Sequence, residues 1–238
     1  MKLGKLPHRQ DKRTLKLTDY IAAGGLPTAP ATLDLSGKVA NWQMFANDRL
    51  GDCTCAAAGH MVELWTTLNG AAATLTDDEV IALYDIVNGG SDNGAVELDV
   101  LNAWRQQGLA GHKLHAFTQV DHTNQNLVMT AANLFAGVYI GAQMPLSAQQ
   151  TIGELWTITN DGHDAGSWGG HAMNVVGYDA QGVTLVTWGK LQHATWAWWD
   201  AYVDEAWSLL TEDWDKTTYL GLDFAQLETD LTNLVQAA

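Results

Sequence analysis

The spacing of apolar and polar positions along this chain changes once, near its middle. From Cys53 to Leu68, apolar or small residues recur at Cys53, Ala56, Ala57, His60, Met61, Leu64 and Leu68. That is the i, i+3, i+4 spacing of a helix with a buried face. Thr76 and Glu79 form a capping box, and Val80, Leu83, Tyr84 and Val87 continue as the apolar face of a second helix. A third helix is predicted over 97–107, stopped by Gly108, and a fourth over 124–134. From Phe135 onward Val, Ile, Thr and aromatics dominate. Segments 135–144, 171–178, 183–188 and 193–198 read as strands, with 177–182 as a hairpin turn. Residues 199–210 read as a surface helix and 224–235 as another. Pro7, Pro27, Pro30 and Gly24-Gly25 punctuate residues 1–40, which read as an extended arm where only 14–22 could form a short helix. Helices first and strands second predict an α+β protein. Its parts are a basic arm (1–40), a helical lobe (41–120) and a sheet lobe with C-terminal helices (121–238).

Composition sharpens this picture. Apolar residues make up 47% of the 238 positions and charged residues 16%, which excludes a disordered chain. The net charge of −15 is unevenly placed. Lys2, Lys5, Arg9, Lys12, Arg13 and Lys16 stand against Asp11 alone in the first 16 residues, so the arm carries +5 and the remainder −20. So acidic a body excludes broad nucleic-acid binding, which depends on phosphate contacts. The arm is expected to clamp onto acidic surface, its own or a partner's, through residues 1–20. No apolar run is long enough to cross a membrane. The opening residues lack the apolar core of a Sec signal peptide, so a cytoplasmic or virion-associated location is expected. Cys53 and Cys55 lie too close together to staple distant parts of a fold.

The richest local signal is Asn47-Asp-Arg-Leu-Gly-Asp-Cys53-Thr-Cys55. It sets Cys53 in the first turn of a helix, directly after a loop containing Gly51. Unpaired N–H groups and the helix dipole there favour an anion, predicting a depressed thiol pKa and a cradle for an oxyanion. The alternative is a buried structural cysteine. Cys55, two helical residues on, faces the other way and is expected in the core. His171 opens an apolar strand behind the Gly-rich segment 160–170, as a base at a lobe junction or as a satisfied core histidine. Cys53, Cys55, His60 and Asp52, or His112 with His115, match no metal-ligand spacing, so neither metal nor cofactor is expected. His8, His112, His115, His122, His163 and His193 read as surface or loop residues. Of the eleven tryptophans, Trp42, Trp65 and Trp104 belong to the helical core, and Trp168 and Trp188 flank a cleft. Trp196, Trp198, Trp199, Trp207 and Trp214 read as packing area between elements, or as an exposed patch for a partner or a glycan.

Cys on a helix, a distant His-Ala-Met-Asn-Val-Val-Gly-Tyr strand (171–178), then Trp188-Gly189: in this order the sequence resembles the papain-like cysteine peptidases over about residues 40–200. The resemblance implies a two-lobe fold with Cys53 as nucleophile and His171 as base. Asn47, six residues before Cys53, stands where the family has a glutamine oxyanion donor. Val186 stands where the family's orienting asparagine belongs, which leaves Thr187 as the third member. Gly51, Asp52, Trp168, Gly170 and Trp188 would line the substrate cleft. Thr54 replaces the aromatic that follows the family's nucleophile, and residues 1–40 are too short and too broken to match its pro-segment. The function implied is a thiol hydrolase cleaving peptide or amide bonds in a protein or peptide substrate, in a divergent bacterial or phage-type member. The rival expectation is a papain-fold assembly component of a phage or prophage particle, with the arm docked on a neighbour.

Overall fold

The computed structural model describes residues 1–23, 25–214 and 221–236. The helical lobe contains α1 (Cys53–Leu68), α2 (Asp77–Asn88) and α3 (Glu97–Gln107). All residues of α1 from Cys53 to Thr66 are buried, which makes it the central helix. α2 begins at the capping box, where Thr76 accepts from the Glu79 N–H and the Glu79 side chain returns to the Thr76 N–H. It ends at Gly89 in the left-handed conformation.

Among the described residues, seven strands form one sheet, antiparallel at every strand pairing: β1 (Leu33–Asp34), β2 (Leu114–Gln119), β3 (Val138–Met144), β4 (Gly169–Tyr178), β5 (Gly182–Thr187), β6 (Lys190–Thr195) and β7 (Val203–Thr211). Their order is β2-β7-β3-β4-β5-β6, and β1 adds to β4. Helices α4 (Gln125–Leu134), α5 (Leu146–Gln150), α6 (Trp196–Tyr202) and α7 (Phe224–Gln236) complete the chain. Among the described residues no helix is long and apolar enough to cross a membrane.

The sheet is covered on both faces. Tyr139, Ala172 and Trp207 pack with α1–α3, whereas their strand neighbours Ile140, Met173 and Ala206 pack in the second core with α4 and α6. Successive strand residues point to opposite faces, so both kinds of position are apolar. This explains two departures from the sequence reading. Residues 199–210, expected as a surface helix, are the end of α6 followed by the buried strand β7. The strand expected over 193–198 stops at Thr195, whose hydroxyl caps α6. A strand buried on both faces has no alternation to mark it, and Asp204 and Glu205 interrupt the apolar run of β7. The short strands β1 and β2 also lacked a signal. In the arm, Leu17–Tyr20 and Ser36–Lys38 each form a turn of 3-10 helix.

The tryptophans are interior. Trp65, Trp104, Trp156, Trp198, Trp199 and Trp207 are fully buried, and Trp196 and Trp214 are partly buried. The exposed aromatic patch is therefore replaced by packing area.

Candidate active site

Cys53 opens α1, with Asp52 as the preceding cap residue and the first-turn N–H groups outside the intrahelical ladder. The backbone N–H groups of Ala172 and Gly4 favour its thiolate. Cys53 and Ala172, the residue after His171, share one core, so the helix start packs against the start of β4. Gly4 belongs to the N-terminal arm.

His171 is fully buried. Its Nε2 lies 2.5 Å from Thr187 Oγ1, and its Nδ1 is buried with no hydrogen-bond partner. Strand alternation explains why Thr187 and not residue 186 meets the imidazole. Val186 faces α1 in a small cluster with Trp42, Leu64 and Val176, so its neighbour Thr187 faces the other side. Asn174, opposite Val186, donates to the Ala57 carbonyl and so also faces α1.

Trp188 and Gly189 link β5 to β6 as a two-residue hairpin loop, Thr187 pairing with Lys190. Both have positive φ, +48° and +67°, the conformation that a tight hairpin demands. For tryptophan this costs about 1–2 kcal/mol. The offset is contact: its ring stacks on the His171 imidazole at 4.2 Å and 17°, and its Nε1–H donates to the Lys2 carbonyl. Trp168 lies against Trp188, ring centroids 5.5 Å apart.

The arm fills the groove between the lobes. Lys2 N–H donates to Asn47 O, Ala95 N–H to Gly4 O, Lys5 N–H to Gly170 O and Leu6 N–H to Ala95 O. Residues 4–6 thus run parallel to the chain at Ala95, passing over Cys53. The approach is so close that a Cβ on Gly4 would lie 1.7 Å from the Gly51 carbonyl oxygen. Only glycine fits there. Gly51, Trp168, Gly170 and Trp188, read from the sequence as cleft residues, are brought together around this segment. A short arm broken by Pro and Gly was expected to have no counterpart to a pro-segment, yet it lies across the cysteine.

The electrostatics follow from that cover. Burial pushes the Cys53 thiol up to about 12, reinforced by the neighbouring Asp52. Burial also pushes His171 down to about 3. The depressed thiol pKa expected from the helix start is thus overturned, because loss of solvent outweighs the helix dipole. Both groups are neutral under the arm. Asp52, itself buried, is pushed up to about 7 by loss of solvent.

Asn47 is buried, and its Nδ2 donates to the Leu50 carbonyl at 3.1 Å and to Asp52 Oδ1 at 3.0 Å. In this state both amide hydrogens hold the loop before α1. Cys55 is fully buried in the helical core. His60 sits between Trp42 and Phe45 with Nε2 2.6 Å from the Gln43 carbonyl oxygen. His8, expected at the surface, is half-buried against Glu205, 2.7 Å away.

Sequence reasoning expected the arm on acidic surface but did not name the residues it meets. The Lys5 side chain is fully buried, 2.8 Å from Glu205 and 3.0 Å from Asp204. Burial opposes its charge, but the Glu97, Glu205 and Asp204 carboxylates outweigh it and hold the ammonium well above its ordinary pKa. The only available signal was the charge imbalance between arm and body.

A central helix carrying a cysteine at its start, packed against an antiparallel sheet carrying a histidine, is the papain-like cysteine protease fold, and the solved structures agree. Xylellain, a cysteine protease from Xylella fastidiosa, superposes with a TM-score of 0.69 over 88% of this chain and 96% of its own, at 12% identity. Digestive procathepsin L 3 of the Tenebrio molitor larval midgut gives 0.60 over 88% and 75%, also at 12% identity. The bromelain protease of Ananas comosus in complex with E64 gives 0.58 over 77% and 100%, at 13% identity. No family model matches the chain, and no curated protein sequence does.

Proposed function

We propose that this protein is a thiol hydrolase of peptide or amide bonds, held latent by its own N-terminal arm. The observations that support the reading are two. Cys53 opens α1 and packs in one core with Ala172, the residue after His171, and His171 is held through Nε2 by Thr187 while Nδ1 is unpartnered. With Nε2–H donated to Thr187, Nδ1 carries the lone pair. Once the arm withdraws and water returns, Nδ1 takes the thiol proton and the thiolate attacks the substrate carbonyl carbon. The Cys53 N–H at the helix start stabilises the resulting oxyanion. The imidazolium returns its proton to the leaving amine as the C–N bond breaks. Water, deprotonated by His171, then cleaves the thioester and regenerates the thiol. Asn47 serves here by positioning the loop that presents Cys53.

The test is covalent labelling by E64, the ligand of the bromelain structure. In Gly4→Val, a full-length chain whose arm cannot seat over Gly51, E64 should modify Cys53 and spare Cys55. The wild-type chain should label slowly, and adding His171→Ala should abolish labelling. If the Gly4→Val chain labels Cys53 no faster than Cys55, the hydrolase reading fails, and the papain-fold assembly component takes its place.

A further inference from the structure

The arm residue that seals the groove occupies a site whose chemistry outlasts the arm. Lys5 enters a pocket walled by Glu97 from α3, Asp204 and Glu205 from β7, and Gly141 from β3. The side chains of Lys5 and Glu205 are both fully buried. Gly141 makes the room: a Cβ there would lie 1.9 Å from Lys5 Cε and 2.8 Å from Glu97 Oε1. Trp207 fixes the acidic floor, its Nε1–H shared between Glu97 Oε2 at 3.0 Å and Glu205 Oε2 at 3.1 Å. His8 bonds the same Glu205 oxygen.

An acidic pocket this deep is costly without a cation, because carboxylates removed from water need a partner. Here the cation comes from the residue next to Gly4, whose backbone N–H favours the Cys53 thiolate. When the arm leaves, the cation leaves with it, and the pocket opens beside the cysteine. We propose that this pocket is the specificity site of the proposed hydrolase, selecting peptides that carry a lysine or another basic side chain close to the scissile bond. Lys5 is then the chain's own stand-in for that substrate side chain. This rests on the hydrolase reading for its cleavage step, but not for its binding step.

The experiment uses the full chain carrying Gly4→Val and Lys5→Met, whose arm neither seats nor reaches the pocket. A thermal melt establishes that it is folded. The probe is the synthetic decapeptide MKLGKLPHRQ, compared with the same peptide carrying methionine in place of its second lysine. The lysine peptide should bind about thirtyfold more tightly or better, the scale for truncating one partner of a buried hydrogen-bonded charge pair. Glu205→Gln in the same background should erase most of that preference. In parallel, a library of peptide amides should be cleaved with a basic residue at one fixed position near the cut.

Binding that prefers lysine with no cleavage of any peptide sinks the hydrolase reading and supports the pocket. Cleavage with no preference for a basic side chain, or equal binding of the two decapeptides, overturns the pocket and leaves the hydrolase standing. Should the double variant not fold, Glu205→Gln alone in the otherwise native chain decides: it must speed labelling of Cys53, and unchanged protection overturns the inference.

Discussion

Replacing Lys5 by methionine should release the arm. Five hydrogen bonds hold residues 2–6 in the groove: those of Lys2, Lys5, Leu6 and Ala95 N–H, and that of Trp188 Nε1–H. At about 1 kcal/mol net each they supply about 5 kcal/mol. Ordering the backbone of five residues costs about 5–10 kcal/mol at about 1–2 kcal/mol apiece. The backbone contacts therefore do no more than match the entropy, and the net closing energy comes from Lys5. Removing one partner of a buried ion pair costs about 3–5 kcal/mol. In Lys5→Met that cost is escaped by opening, which returns Glu205 and Asp204 to water. An equilibrium shift of this size is a factor of about 10²–10⁴ in the open population. The assay is the rate of Cys53 alkylation by iodoacetamide, read by mass spectrometry with Cys55 as the internal reference. Labelling of Cys53 in Lys5→Met should rise by that factor, with little change in the thermal midpoint of the body. A folded Lys5→Met chain that labels no faster than wild type would refute the lock.

Three more outcomes follow from the same contacts. Thr187→Val, in the Gly4→Val background, leaves His171 Nε2 unpartnered and should slow Cys53 labelling by about 10-fold or more, for a lost hydrogen bond of about 1–3 kcal/mol; Thr187→Ser should retain the wild-type rate and pH profile, and an unaffected valine variant would dismiss the orienting role. Asp52, pushed up to about 7 when folded, binds a proton that the unfolded chain has already lost above its ordinary pKa, so its contribution to stability falls as pH rises from about 4 to about 7. Asp52→Asn, which keeps the acceptor for Asn47, should therefore gain stability over wild type by about 2–3 kcal/mol more at about pH 8 than at about pH 5 in denaturant titrations; a pH-independent difference would contradict the buried carboxyl. Thr76→Ala removes the α2 capping box and should cost about 1 kcal/mol in the same titration with no effect on Cys53 labelling.

What could be read in advance followed the range of the interactions. The bounds of α1 and α3, the Thr76 cap and the start of α4 after Asn124 are decided within one helical turn, and they appear where the spacing places them. The Cys53 helix start and the His171 strand were legible because each is a local pattern. Thr187 was legible only as the neighbour of a missing asparagine. It took strand alternation, with Val186 turned toward α1, to put its hydroxyl on the histidine. The ionisation of Cys53 was misread because the helix dipole is local and visible, while the burial that outweighs it comes from a segment about fifty residues earlier.

By itself the sequence determined the helices α1 to α4 and the presence of a cysteine and a histidine in suitable local settings. Local periodicity and capping are sufficient for that. Only the tertiary structure decided that β7 is a central strand, since burial on both faces removes the alternation that would announce it. It alone decided where the basic arm goes. Lys5 meets Asp204 across 199 positions of chain, and Gly4 meets Gly51 at a distance that only backbone tolerates. Net charge says that such an arm will find acid; it takes the folded groove, with its glycine walls and its acidic floor, to say which acid and over which cysteine.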